Sequence, residues 1–144
     1  MIKRANPLRV LLADDEKHMQ VFVGQILSSL IDCTLTTVGD GAAAIAHCRT
    51  ADPELVILDI NMPRVDGVKA LTEIRQFKPQ LPIIMMTSIA DEFVVEECLR
   101  KGASYYIRKD PFGNYIRVEF ETVLRDFFPS DLNPNEKTRG NPST

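Results

Sequence analysis

Leu55-Val-Ile-Leu-Asp59-Ile-Asn-Met-Pro63-Arg-Val-Asp-Gly67 is the stretch that decides how the rest of the chain is read. Leu55 to Leu58 are too few apolar residues for a helix of ordinary length. They suit a strand covered on both faces, as in a parallel sheet. The run stops on a carboxylate, and Pro63 and Gly67 mark the loop beyond it. In an open α/β sheet, ligands gather outside the carboxyl ends of the strands, so Asp59 stands where such a fold presents its chemistry. A lone aspartate here serves a turn as readily as a site. The weight comes from other strand-like runs that end in the same way.

Upstream, Leu8 to Ala13 is a short apolar run ending on Asp14-Asp15-Glu16, and it reads as the first strand. Apolar residues at Met19, Val21, Phe22, Ile26, Leu27 and Leu30 then recur at helical spacing, with Asp15 expected to cap that helix. The Thr- and Val-rich segment Cys33 to Val38 suits a second strand. Gly39-Asp40-Gly41 turns the chain into an Ala-rich helix from about Ala42 to Thr50, stopped by Asp52-Pro53. Downstream of the quoted stretch, Val68 to Phe77 is helical and Ile83 to Met86 is a fourth buried strand, ending on Thr87-Ser88. Asp91 caps a helix that runs to Lys101, and Gly102 closes it as a left-handed terminator. Tyr105-Tyr106-Ile107 is a fifth strand ending at Arg108-Lys109, and a last helix, Asn114 to Phe127, turns Ile116, Phe120, Val123, Leu124 and Phe127 inward. Strands alternating with helices of ten or so residues predict a doubly wound, five-stranded parallel sheet with helices on both faces.

The 144 residues suit one domain, and 44% hydrophobic with 26% charged content is ordinary for a water-soluble one. A formal net charge of −3 without a basic stripe gives no footprint for nucleic acid. Cys33, Cys48 and Cys98 are scattered and read as small buried apolar residues in a reducing compartment. No stretch has the apolar length of a signal-peptide core or a membrane span, so a cytoplasmic protein is expected. Residues 1–128 form the expected domain. Residues 129–144, rich in Pro, Asn, Ser and Thr, are expected to be a flexible tail or the start of a linker.

In a parallel sheet, Asp14, Asp15, Asp59, Thr87 and Lys109 all leave one edge. Carboxylates gathered there repel by roughly 3 kcal/mol per pair at about 5 Å and an effective dielectric near 20. Lys109 supplies one positive charge, and a divalent ion balances the remainder. Hard oxygen ligands suit Mg²⁺, whereas zinc would want His or Cys in the set. A carboxylate beside Mg²⁺, a hydroxyl and an ammonium is also equipped for phosphoryl transfer, with the carboxylate as nucleophile. Each residue alone has a blander reading. Asp14 and Asp15 could be a cap, Thr87-Ser88 loop residues, Lys109 a solvated charge and Tyr106 core; His18 and His47 read as helix-face residues. Gly39-Asp40-Gly41 lacks the Lys-Ser/Thr ending of a phosphate loop.

Taken in order, residues 8 to about 128 resemble the receiver (CheY-like) domain of two-component response regulators. The resemblance rests on Asp14-Asp15, Leu58-Asp59-Ile-Asn-Met62-Pro63 with Gly67, Thr87-Ser88, and Gly102-Ala103-Ser-Tyr-Tyr106-Ile-Arg-Lys109. It implies a flavodoxin-like fold with strand order 2-1-3-4-5. It also implies a switch rather than a metabolic enzyme, which takes a phosphoryl group from a histidine kinase or phosphotransfer protein and catalyses only its own phosphorylation and dephosphorylation. Asp59 then resembles the acceptor, and Asp14, Asp15, Asp59 and the backbone carbonyl of Asn61 resemble the Mg²⁺ site. Thr87 and Lys109 resemble the phosphate-binding pair. Ser88 matches the small residue at the acceptor's entrance, and Tyr106 the aromatic switch. Signal output falls to the face of the fourth helix, fifth strand and fifth helix.

One departure stands out. The family usually has Pro directly after the lysine, whereas this chain reads Lys109-Asp110-Pro111. A cis Lys109-Asp110 peptide is expected if the loop is to aim the lysine at the acceptor, despite the cost of about 2.5–4 kcal/mol before a non-proline residue. A rival reading, an aspartyl-phosphate phosphatase with an outside substrate, wants a second acid/base Asp where Asn61 stands, and sequence for a cap. Two others stay open: an interaction module that keeps the site without using it, and a receiver module cut from a larger hybrid kinase or effector.

Overall fold

A period of two along the strands sorts their side chains onto two faces. The computed structural model describes residues 4–88, 91–109 and 114–129. Its elements run β1 (Leu8–Ala13), α1 (Lys17–Leu30), β2 (Cys33–Val38), α2 (Gly41–Thr50), β3 (Leu55–Asp59), α3 (Gly67–Phe77), β4 (Ile83–Thr87), α4 (Glu92–Arg100), β5 (Tyr105–Arg108) and α5 (Asn114–Phe127). The five strands form one sheet in the order β2-β1-β3-β4-β5, every neighbouring pair parallel. This is the flavodoxin-like, doubly wound architecture expected from the alternation of strand and helix.

Leu8, Val10, Leu12, Leu55, Ile57, Ile84 and Met86 face α1 and α5, meeting Val23, Leu27, Phe120 and Leu124. The intervening residues Leu11, Ala13, Val56, Leu58, Ile83 and Met85 face Ala44, Cys48, Leu71, Ile74 and Cys98 of α2, α3 and α4. β3 and β4 are buried along their whole length. Each fully buried Leu or Ile among them contributes about 1.5–3 kcal/mol of transfer free energy. The central strands are therefore the rigid rails on which the strand-end residues ride.

Helix starts follow local chemistry. The Asp40, Asp66 and Asp91 side chains accept from the backbone N–H groups of Ala43, Lys69 and Phe93, opening α2, α3 and α4. α1 departs from expectation: its cap position is Glu16, not Asp15, and no side chain caps it. Asp14 takes the adjacent N–H instead, its Oδ1 accepting from Glu16 at 2.9 Å. Helical phase corrects a second residue, for Val21 is 52% exposed while Val23 is buried. Cys33 is only half-buried, unlike Cys48 and Cys98. Gly102 closes α4 with φ +109°, as a left-handed terminator does.

Among the described residues, no helix is long and apolar enough to cross a membrane. The Lys109-Asp110-Pro111 loop geometry and the expected tail, from Ser130 on, lie outside the described residues.

Candidate functional site

β1 and β3 lie side by side in the sheet with Ala13 opposite Leu58. The next residue of each chain, Asp14 and Asp59, therefore stands at adjacent strand ends, where the strand order reverses. On the far side of β4, Thr87 pairs with Arg108, and the Lys109 N–H donates to the Thr87 carbonyl at 2.8 Å. Lys109 is thereby held at the same edge. Its Nζ lies 2.9 Å from Asp14 Oδ2, 3.1 Å from Asp59 Oδ2 and 3.2 Å from Glu16 Oε1.

The two central carboxylates are built alike. Asp14 accepts from the Glu16 N–H on Oδ1 and pairs with Lys109 through Oδ2. Asp59 accepts from the Asn61 N–H on Oδ1 at 3.3 Å and from Lys109 on Oδ2. With 1% and 4% exposure, neither turns freely. Gly67 completes the frame, since its N–H donates to the Ile60 carbonyl at 2.8 Å. A Cβ there would collide with the Asp59 carbonyl, so only glycine lets α3 start this close to the end of β3.

Burial raises the Asp59 carboxyl above its usual range. Lys109 pulls it back and Asp14 pushes it further up. For Lys109, burial alone would favour loss of the proton. The hydrogen bonds and charges of Asp14 and Asp59 outweigh that and hold the ammonium more firmly protonated than an ordinary lysine.

Carboxylate oxygens of Asp14, Asp15, Glu16 and Asp59 all lie within 4.8 Å of one another. Four carboxylates face one ammonium, and the donors are hard oxygens without imidazole or thiolate. Such a set fits a divalent, oxygen-seeking cation that keeps some of its water.

The other expected residues are placed around this core. Asp15 is exposed beside it and Asn61 presents an exposed side chain, while Thr87 is buried at the end of β4 with Ser88 exposed beyond. Tyr106 lies opposite Met85, half-buried against the α2–α3–α4 side of the core, its phenol pushed up by burial. Sequence reading missed Glu16 as a member of the site. Its signal was its place directly after Asp14-Asp15 in the strand-end loop, where it looked like one more charge opening a helix.

The family profile of the response regulator receiver domain matches residues 10–116. Protein CcdB of Bacillus subtilis is 36% identical over 104 residues, covering 72% of this chain and 86% of that protein. The response regulator protein VraR of Staphylococcus aureus is 33% identical over 105 residues, or 71% of this chain and 49% of VraR. The match thus spans about half the length of VraR. Among solved structures, the receiver domain of the sensor histidine kinase PA1611 of Pseudomonas aeruginosa, which holds a magnesium ion in its active-site cleft, superposes with a TM-score of 0.73. It is 29% identical, with 85% of this chain and 98% of that one covered.

Proposed function

Because this chain belongs to the receiver-domain family of response regulators, we propose that Asp59 is a phosphoacceptor and that the domain is a switch in a two-component phosphorelay. The observation that carries this reading is the single ammonium of Lys109 bonded to Asp59 and Asp14 at the carboxyl edge of the sheet.

An Asp59 oxygen attacks the phosphorus of the donor, the bond from phosphorus to the donor atom breaks, and its electron pair leaves with the donor. With acetyl phosphate the products are the aspartyl phosphate and acetate. Ionised Asp59 needs no base to attack, and burial strips it of the water that would blunt it. Lys109 follows the charge from the carboxylate to the phosphoryl oxygens, and the Thr87 hydroxyl is the second donor assigned to them. Asp14, Asp15, Asp59 and the Asn61 carbonyl are the assigned ligands for Mg²⁺, with Glu16 beside them. When bound, Mg²⁺ supplies positive charge to the transferring oxygens.

The donor in the cell is a histidine kinase or phosphotransfer protein in the cytoplasm. Readout runs from Thr87 through Tyr106 to the face of α4, β5 and α5 by a shift of a pre-existing equilibrium. The test is intact mass after incubation with acetyl phosphate. One added phosphoryl group with Mg²⁺ present, and none with the ion chelated, supports the reading. No gain in either condition favours an interaction module that keeps the site without using it.

A further inference from the structure

Lys109 has no donor to spare. An ammonium carries three N–H groups, and its Nζ already faces three carboxylate oxygens, at 2.9 Å on Asp14, 3.1 Å on Asp59 and 3.2 Å on Glu16. The three partners are not held equally. The Asp14 side chain is 1% exposed and the Asp59 side chain 5% exposed, and each has its second oxygen on a backbone N–H. The Glu16 side chain is 48% exposed, and among the described residues its other oxygen pairs with the exposed His18 ring, at 3.6 Å. Water can replace Lys109 at Glu16 with little loss, but not at Asp14 or Asp59.

A phosphoryl group arriving on Asp59 brings further anionic oxygens that need an N–H donor. The Lys109 N–H on Asp59 follows the charge outward to them, which draws the ammonium away from its two other anionic partners, Asp14 and Glu16, and of these Glu16 is the one that water can take over. We infer that Glu16 is a positioning residue that holds Lys109 in the resting domain and releases it to the phosphoryl oxygens. This rests on Asp59 being the acceptor. Glu16 acts against the transfer twice over. It tethers the ammonium that must move out towards the incoming group, and it adds a negative charge beside the point where negative charge builds up. The resting switch is thereby biased towards staying unphosphorylated.

The test compares the parent protein with Glu16→Gln and Glu16→Ala, at an exposed position where both should fold. With acetyl phosphate and saturating Mg²⁺, both variants should take up phosphoryl groups about fivefold faster, the size of one exposed charged contact. Mg²⁺ affinity measured by calorimetry should fall by no more than about fivefold, the effect of losing one exposed negative charge near the ion without losing a direct ligand. A rate that is unchanged or lower overturns the inference. So does a large loss of Mg²⁺ affinity, which would make Glu16 a ligand of the ion.

A second readout is independent of turnover. The Lys109 Nζ resonance should differ between parent and variants at rest, and converge once beryllofluoride with Mg²⁺ mimics the phosphoryl group. Identical resonances at rest overturn the holding role, and a persistent difference overturns the release. A parent that takes up no phosphoryl group refutes the acceptor assignment and the release with it, while the resting resonance judges the holding role by itself.

Discussion

Lys109 and Arg75 are cations at opposite edges of one sheet, and their surroundings could hardly differ more. Lys109 stands at the carboxyl edge among the carboxylates of Asp14, Glu16 and Asp59. Arg75, near the end of α3, stands at the amino edge and touches carbonyls instead. Its Nε and one terminal nitrogen donate to Gly102 at 3.0 and 2.6 Å, and the other terminal nitrogen donates to Lys78 at 2.9 Å and Leu81 at 2.6 Å. Gly102 is required there, since a Cβ would press on the arginine side chain. Burial lowers the proton affinity of Arg75, whereas for Lys109 the carboxylates more than reverse that effect. Carbonyls are fixed by the backbone they belong to, so Arg75 ties three chain segments together permanently. Carboxylates are charges that a metal or a phosphoryl group can redistribute. One edge is a clamp and the other is an exchangeable charge network.

The contrast is broken most directly at Lys109. Lys109→Ala should leave a folded domain whose phosphoryl uptake from acetyl phosphate falls by about 10²-fold, the usual cost of removing one donor aimed at developing charge. The variant should also gain more stability from Mg²⁺ than the parent does, since the ion then meets carboxylates with no competing ammonium. An undiminished rate would remove Lys109 from the chemistry.

At the clamp the loss should be of stability and blind to the metal. Arg75→Ala leaves three carbonyls without their donor and should cost ~2–4 kcal/mol in denaturant unfolding, at about 1.5–3 kcal/mol per charged hydrogen bond less what water restores. Arg75→Lys should recover only part, because an ammonium cannot fork to three carbonyls on two separate loops. A lysine as good as the arginine would show that charge, not the fork, holds this edge.

A smaller effect sharpens the acidic side. At ten times its Kd, Mg²⁺ should stabilise the parent by about 1.4 kcal/mol through mass action. Asp15→Ala should lose most of that gain in thermal melts, and an equal gain would place the ion elsewhere.

Asp40 is the intermediate case and the smallest. Its carboxylate accepts from the Ala43 N–H at 2.8 Å and pairs with Arg64, a residue at φ +67°. The Ala43 hydrogen bond, with help from Arg64, holds it below the usual carboxylate range against the opposing effect of burial. A lowered folded pKa means stability that is present above the unfolded value and lost as pH falls through the folded one. The parent should therefore be more stable than Asp40→Asn near neutral pH, with the gap closing below about pH 4. A gap that did not change with pH would assign the difference to shape rather than charge.

What could be read beforehand follows the same division. β3 and β4 were legible because strands covered on both faces leave unbroken apolar runs, and α5 because its apolar spacing is clean. Asp14, Asp59 and Lys109 were legible as one cluster because parallel strands must deliver their ends to one edge. Arg75 was not, since an arginine on an amphipathic helix reads as a solvated charge, and its carbonyl partners at 78, 81 and 102 meet only in the fold. Glu16 hid for a similar reason: its partner Lys109 is 93 residues away. The start of α1 differs from expectation because Glu16, not Asp15, is its cap residue, while Asp14, buried at the site, accepts from the Glu16 N–H.

The role proposed for the carboxyl edge turns on Asp59 being the carboxylate that accepts a phosphoryl group. Parent and Asp59→Asn should be incubated side by side with acetyl phosphate and Mg²⁺ and weighed intact. The parent should gain the mass of one phosphoryl group and the variant none, although both remain folded. A variant that gains as much as the parent would place the chemistry on another residue and contradict the account.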